Sequence, residues 1–193
     1  MKTARNAAVL AAVLAGVLCM AFPARAATRD FEYAKGLIDH PLEFFDLAPD
    51  SESPLRWRQQ LPAGYTIRAI DAELFERCLW RDEMAFYAGS TESYLKHGLG
   101  YCLLKADEIL AEAYASALGK TRAEIGAITQ EAYRGRGYAP IASAFLIEDC
   151  RQRGYQAYWS CDADHTASIR VAQKLGFRQP RAYAIYEYPP LAS

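Results

Sequence analysis

The 193-residue chain lacks the marks of a metal centre or a disulfide framework: of its five cysteines, none forms a Cys-x-x-Cys pair or a Cys/His run with zinc spacing. It also lacks internal repeats and low-complexity tracts, so neither a solenoid nor a disordered array is indicated. Basic charge is scarce. Without Lys2, Arg5 and Arg25 of the first 26 residues, the 22 basic side chains fall to 19 against 23 acidic ones, a net −4. A mildly acidic body argues against general binding to nucleic acid or to an anionic membrane, both of which want a basic face.

What is there suits one folded domain, with 52% hydrophobic residues to build a core. Residues 1–26 differ in character: basic Lys2 and Arg5 precede an apolar run from Ala7 to Phe22, followed by Pro23-Ala24-Arg25-Ala26. That is the grammar of a cleaved signal peptide. A start at Met20 is the other reading. The four cysteines beyond this leader are Cys78, Cys102, Cys150 and Cys161, and Cys102 and Cys150 lie in apolar segments that suit reduced, buried thiols.

Apolar spacing over Phe31 to Leu47, broken at His40-Pro41, predicts two short helices, so residues 27–64 read as a helical extension ahead of a domain at 65–190. Tyr65 to Ile70 alternates as a strand, Asp71 caps a helix running to about Leu79, and Ser90 to His97 is a further helix. Tyr101 to Ala106 and Ile109 to Leu118 form a hairpin turning at Asp107-Glu108. A turn at Gly119-Lys120 leads to a strand ending at Thr129, and a helix follows over Ala139 to Cys150. Tyr155 to Cys161 is a strand, Asp162 or Asp164 caps a helix reaching Leu175, and Ala182 to Tyr188 is the last strand. This order predicts a mixed α/β sheet with antiparallel hairpins and one or two parallel crossovers.

The most informative stretch joins the strand ending at Thr129 to the helix from Ala139. Its loop holds Gly135 and Gly137, each preceded by an arginine, Arg134 and Arg136. Glycine lets a backbone turn tightly against a ligand, and the first turn of a helix offers unpaired N–H groups with partial positive charge. Such a loop suits a diphosphate.

Two motifs together resemble the GCN5-related N-acetyltransferases. Arg134-Gly135-Arg136-Gly137-Tyr138-Ala139 is similar to that family's pyrophosphate loop, Gln/Arg-x-x-Gly-x-Gly/Ala. Asp164-His165-Thr166-Ala167-Ser168 through Lys174-Leu175-Gly176-Phe177 is similar to its downstream helix, Asn-x-x-Ser/Ala ending in Lys-Leu-Gly-Phe. Shorter words, Gly100-Tyr-Cys-Leu-Leu, Ala123-Glu-Ile-Gly and Trp159-Ser-Cys-Asp, resemble a bacterial subgroup that includes a self-resistance acetyltransferase for the aminopolyol antibiotic zwittermicin.

The resemblance implies a mixed, mostly antiparallel sheet flanked by helices, whose two central strands splay to admit a pantetheine arm. It implies acetyl-CoA as acyl donor, no metal, and transfer to an amine of a small molecule, an antibiotic among the candidates, by direct attack in a ternary complex. Backbone groups of Ile128 and Thr129 would pair with the pantetheine amides, and amides of Gly135 to Ala139 would hold the pyrophosphate. Arg134 and Arg136 would add charge, with a solvated surface arginine the alternative. His165 and Ser168 fall where the family contacts the cofactor, although an ordinary helix-start residue and a small packing residue fit those places too. Glu124 becomes the candidate base; a hydrogen-bonded structural carboxylate is the other reading.

The sequence departs from the family pattern at Ala172, where the acid tyrosine usually stands. Tyr138, Cys161, Tyr183 and Tyr186 are candidate substitutes, with Tyr186 taken as the candidate acid, and a proton from water is the alternative. A protein or peptide amine acetyltransferase is the alternative enzyme, and a non-catalytic acyl-CoA-binding protein the alternative of another class. The need for acetyl-CoA favours a cytoplasmic site of action, against the exportable leader. No nucleic acid and no stable membrane association are expected as partners, and a homo-oligomer is left open.

Overall fold

The computed structural model describes residues 39–186. The leader reading on residues 1–26, the helix read from Phe31, and residues 187–190 of the domain read at 65–190 lie outside the described residues. The described chain divides into two units, one spanning residues 43–181 and a second that takes in residues 39–42 and 182–186; the account below concerns the first. In chain order the elements are β1 (Asp39–Asp46), α1 (Ser53–Arg58), β2 (Tyr65–Ala69), α2 (Ala72–Arg77), α3 (Arg81–Ala88), α4 (Thr91–His97), β3 (Gly100–Lys105), β4 (Glu108–Leu118), β5 (Arg122–Thr129), a 3-10 turn (Glu131–Tyr133), α5 (Tyr138–Gln152), β6 (Gln156–Asp162), α6 (Thr166–Lys174) and β7 (Arg178–Tyr186). The strands form one sheet in the order β2-β3-β4-β5-β6-β1-β7. This is the mixed, mostly antiparallel sheet flanked by helices that the sequence implies.

The hydrogen-bonded ladders run antiparallel from β2 through β5, and β5 then pairs with β6 in parallel. Side-chain alternation sorts the strands onto two cores, because successive residues of a strand face opposite sides of a sheet. Leu103 on β3, Ala111 and Ala113 on β4 and Ile125 on β5 join Ile141, Leu146 and Ile147 of α5 in one apolar cluster. Cys102, Leu104 and Tyr114 turn the other way and pack with Leu74, Phe75, Met84 and Tyr94 of α2, α3 and α4. Helix α5 is thus buried between sheet and α1, with apolar residues around most of its surface.

Local chemistry sets the helix ends. The Asp71 side chain accepts a hydrogen bond from the Leu74 amide at 2.9 Å, and Ser90 accepts one from Ser93 at 3.0 Å, each satisfying a first-turn donor. Helix α3 stops at Gly89 in the left-handed region. Its start carries no capping side chain, since Trp80 occupies that place.

Three expectations are corrected. Residues 39–46 form strand β1 rather than a helix. The apolar residues Leu42, Phe44, Phe45 and Leu47 fit either period over so short a run, and the period-2 solution buries Phe45 and Leu47 in the α5-side core. Over its described residues, 39–64, the stretch expected as a helical extension therefore holds strand β1 and one short helix, α1. The β3–β4 turn falls at Ala106-Asp107, with Ala106 at φ 51°, one residue earlier than expected. Neither Asp162 nor Asp164 caps α6; His165 holds the N-cap position without a side-chain bond.

Phe177 closes the α6 end of the core: it is fully buried and meets Trp159 edge-on, ring centroids 5.8 Å apart. Phe177→Ala should lower unfolding free energy by about 3–5 kcal/mol in urea titrations, the usual cost of deleting a buried ring. A loss well below that range would show that this end of the core closes over the gap.

Candidate active site

The parallel pairing of β5 with β6 covers only Arg122↔Gln156, Ala123↔Ala157 and Glu124↔Tyr158. Beyond Glu124 the strands run on to Thr129 and Asp162 without bridging each other, while β5 stays paired to β4 as far as Thr129. One edge of β5 over residues 125–129 is therefore open on the β6 side. At about 3.3 Å per residue the open stretch from Glu124 to Thr129 is roughly 16 Å long, enough for an extended amide chain to lie along it as a strand would. Ile128 and Thr129 are half-buried at its outer end.

That outer end leads into the glycine loop. Gln130 fixes the exit from β5: its amide donates to the Leu110 carbonyl at 2.9 Å and its side chain to the Ile109 carbonyl at 2.5 Å. The 3-10 turn follows, with Tyr133 donating to Glu108 at 2.6 Å. Gly135 and Gly137 then adopt φ 79° and 81°, values that a side chain strains to reach, so both glycines serve the loop's path. Nothing lies within 4 Å of a Cβ built at Gly135, whereas one at Gly137 would meet the Trp57 ring at 3.5 Å. The indole N–H of Trp57 also donates to the Lys174 carbonyl at 2.8 Å, tying the loop to the end of α6.

Helix α5 opens directly after Gly137, aiming the amides of Tyr138 and Ala139 out of its first turn; Pro140 has no N–H to offer and fits that turn for the same reason. The Tyr138 side chain is buried and its hydroxyl meets that of Tyr65 at 3.0 Å, which leaves the backbone amide as its contribution to the loop. Arg134 and Arg136 are exposed, and neither takes part in an ion pair among the described residues; Arg136 rests over the Tyr133 ring at 5.5 Å. The loop thus combines helix-start amides, an unfilled cradle and two unneutralised guanidinium groups, a combination that fits a diphosphate.

Glu124 occupies the inner end of the split, at the last bridged position. It is 8% exposed and accepts hydrogen bonds from Ser160 and, at 3.2 Å, from the Tyr158 hydroxyl, with Ser116 alongside. Burial pushes its carboxyl above the ordinary glutamate range, and these hydroxyl donors only partly oppose that. Tyr158 is itself held in place, stacked on Phe44 at 4.7 Å with the Arg122 guanidinium 4.8 Å from its ring centroid. Arg122 pairs with Asp46, which also takes Arg181 at 2.5 Å. The closed end of the split is in this way pinned from β5 to β1.

The remaining candidates fall out differently. Ser168 accepts the indole N–H of Trp159 at 2.9 Å, so its hydroxyl already joins α6 to β6. His165 is exposed at the α6 N-cap. Ala172 is fully buried beneath the helix. Tyr186 lies on β7, and its side chain is outside the described residues. Sequence reasoning missed Tyr158, Ser160 and Ser116, because nothing in the linear chain reveals the β5–β6 register that gathers them around Glu124. An open cleft of about 700 Å³ between β1 and the outer face of α6, lined by Glu43, Arg170 and Lys174 among others, contains neither Glu124 nor the glycine loop. The buried carboxyl and the glycine loop belong to the split, not to that cleft. Among the described residues no cluster of His, Cys, Asp and Glu is placed to hold a metal, and no helix is long and apolar enough to cross a membrane.

A mixed sheet whose parallel pair β5–β6 parts beside a glycine loop and helix start is the scaffold of the GCN5-related N-acetyltransferases. The chain belongs to the GNAT acetyltransferase family, whose family model matches residues 38–186. It is 31% identical over 129 residues to the uncharacterized N-acetyltransferase YdfB of Bacillus subtilis, a match that takes in 66% of this chain and 49% of that protein. The chain thus spans about half the length of this curated relative. A GCN5-related N-acetyltransferase-like protein from Streptococcus suis superposes with a TM-score of 0.65 at 27% identity, over 87% of this chain and 69% of that one. The tandem GNAT protein from the clavulanic acid biosynthesis pathway shares the fold at 15% identity and a TM-score of 0.58, over 86% and 57%.

A carboxyl with a raised native pKa holds its proton more tightly folded than unfolded. Its contribution to stability is full below the ordinary glutamate pKa and is lost as pH climbs through the raised value. Glu124→Gln removes that titration. Urea titrations from about pH 5 to about pH 8 should therefore show a smaller loss of stability in the variant than in the wild type; equal slopes would mean that Glu124 titrates normally.

Proposed function

We propose that the chain is an acetyl-CoA-dependent N-acetyltransferase that acts on the amine of a small molecule by direct attack in a ternary complex. The observation that carries this reading is the open edge of β5, with the glycine loop at its outer end and a buried carboxylate at its inner end. Acetyl-CoA brings an acetyl thioester. The amides of residues 135–139, with Arg134 and Arg136, would hold its pyrophosphate, and the backbone of Ile128 and Thr129 would pair with the amides of the pantetheine arm. His165 and Ser168, at the start of α6, are secondary contacts in this scheme, Ser168 through a hydroxyl that Trp159 already fixes.

At the inner end Glu124 takes a proton from the acceptor ammonium, directly or through one water. A base with a raised pKa suits this task, since proton transfer is most effective when the base titrates near the working pH. The hydroxyls of Tyr158 and Ser160 orient the carboxylate, and Tyr158 is held in turn by Arg122. Tyr186 remains the candidate acid for the departing thiolate. Work on acetyl-CoA favours the cytoplasm, and an antibiotic acceptor is one member of the small-amine class.

Burial of an alanine at 172 favours a second reading, an acyl-CoA-binding protein without turnover, because the acid that the family resemblance leads one to look for is missing there. Thiol release from acetyl-CoA with a panel of small amines separates the two readings. Turnover supports the enzyme; calorimetric binding without turnover supports the binder; no binding of acetyl-CoA overturns both. In the enzyme, Arg134→Ala should raise the KM for acetyl-CoA about tenfold or more, the worth of one charge-assisted contact, with little change in kcat.

A further inference from the structure

Two nucleophilic side chains, Cys78 and Cys102, stand outside the transferase scheme. Cys78 is the C-cap residue of α2 and Cys102 lies on β3, the two being 5% and 0% exposed. Their Sγ atoms are 3.6 Å apart, in direct contact, and both thiols are free. The other described cysteines belong to the opposite face of the sheet: Cys150 is buried in the core beneath α5, and Cys161 packs against that core. Among the described cysteines the geometry therefore singles out one pair.

The pair sits where a link would matter to the fold. Helices α3 and α4 fall between the two cysteines in the chain, and they cover the sheet face on which Leu104 and Tyr114 pack with Phe75, Met84 and Tyr94. The turn from Cys78 into α3 is already anchored to β4, because Glu112 accepts the Leu79 amide at 2.5 Å and the Trp80 amide at 3.3 Å. Cys102 is the register partner of Glu112 on β3, so the two side chains share one face side by side. A bond from Cys78 to Cys102 would add a covalent anchor beside the polar one. Closing from contact to a bond of about 2.0 Å moves each sulfur by only about 0.8 Å.

Contact is not reactivity, however. The thiolate is the attacking species, and the hydrogen bond with Cys102, burial and the nearby Glu112 carboxyl all hold the Cys78 thiol above its ordinary pKa. Once folded and reduced, the buried pair is inert to an oxidant in solution. The bond has to form before the core closes over it.

We propose that Cys78 and Cys102 join as a disulfide when the chain folds in an oxidising medium, giving a staple that holds α2, α3 and α4 on the sheet. Residues 1–26 read as a leader for export, and an exported chain folds in such a medium. With a small-molecule disulfide such as oxidised glutathione as the oxidant, the thiolate of one cysteine attacks it and releases one glutathione; the other cysteine then displaces the second. Two S–H bonds are lost and one S–S bond forms, while two electrons and two protons end on two molecules of reduced glutathione. The staple stands or falls independently of the transferase reading.

The test unfolds the full chain in urea with dithiothreitol, then refolds it in parallel in a mixture of oxidised and reduced glutathione and in dithiothreitol alone. Digestion without reduction, followed by mass spectrometry, should find the peptides carrying Cys78 and Cys102 linked in the first sample only. That sample should also melt higher by about 5–15 °C, the gain expected for one bridge in a chain of this size. In Cys78→Ala the two refolded samples should melt together. Free Cys78 and Cys102 after oxidative refolding, linkage of either to another cysteine as the main product, a melting temperature no higher than that of the reduced form, or a gain that survives in Cys78→Ala overturns the staple.

Discussion

Three bridges hold the parallel pair β5–β6, and the site depends on where they stop. A fully zipped pair would spend the β5 edge on β6 and leave no place for an extended ligand. The closed end is fixed by more than backbone bonds: Arg122 reaches Asp46 and lies against the rings of both Tyr158 and Phe44, which stack on each other. On its other edge β5 remains laddered to β4 as far as Thr129, so the strand keeps its shape where β6 leaves it. The divergence is thus supported from both sides, and it puts a buried acid at one end and a set of helix-start amides at the other.

The two ends use opposite electrostatics. At the loop, exposed guanidinium groups and the α5 N-terminus leave positive charge unsatisfied in water, where an anion gains most from several donors at once. At the inner end, burial disfavours the Glu124 anion, and hydroxyl donors rather than a cation hold it, which keeps the carboxyl able to accept a proton without locking it as a salt bridge. A cation at this point would lower the pKa of Glu124 and so weaken it in the proposed role of base.

Much of this was legible in the chain before any coordinates. The loop announces itself through Gly135 and Gly137 between a β-branched strand and an apolar helix, since only glycine passes easily through φ near +80°. The order of strands and helices from Tyr65 onward also follows from periodicity and caps such as Asp71 and Ser90. What the chain hid were tertiary facts. Strand β1 reads as helix because four apolar residues fit both periods, and sheet pairing decides between them. Helix α3 starts at Trp80 with no capping side chain to mark it. Tyr158, Ser160 and Ser116 are three among many hydroxyl-bearing residues, and only the registers of β6 and β4 against β5 select them.

Amide hydrogen exchange with and without acetyl-CoA tests the central claim, that the open β5 edge and the glycine loop form one binding surface. The account predicts slowed exchange at residues 125–129 together with 135–139, as an added strand and a bound diphosphate would produce. Protection confined to the cleft beside Glu43, Arg170 and Lys174, or no protection on β5, would contradict it.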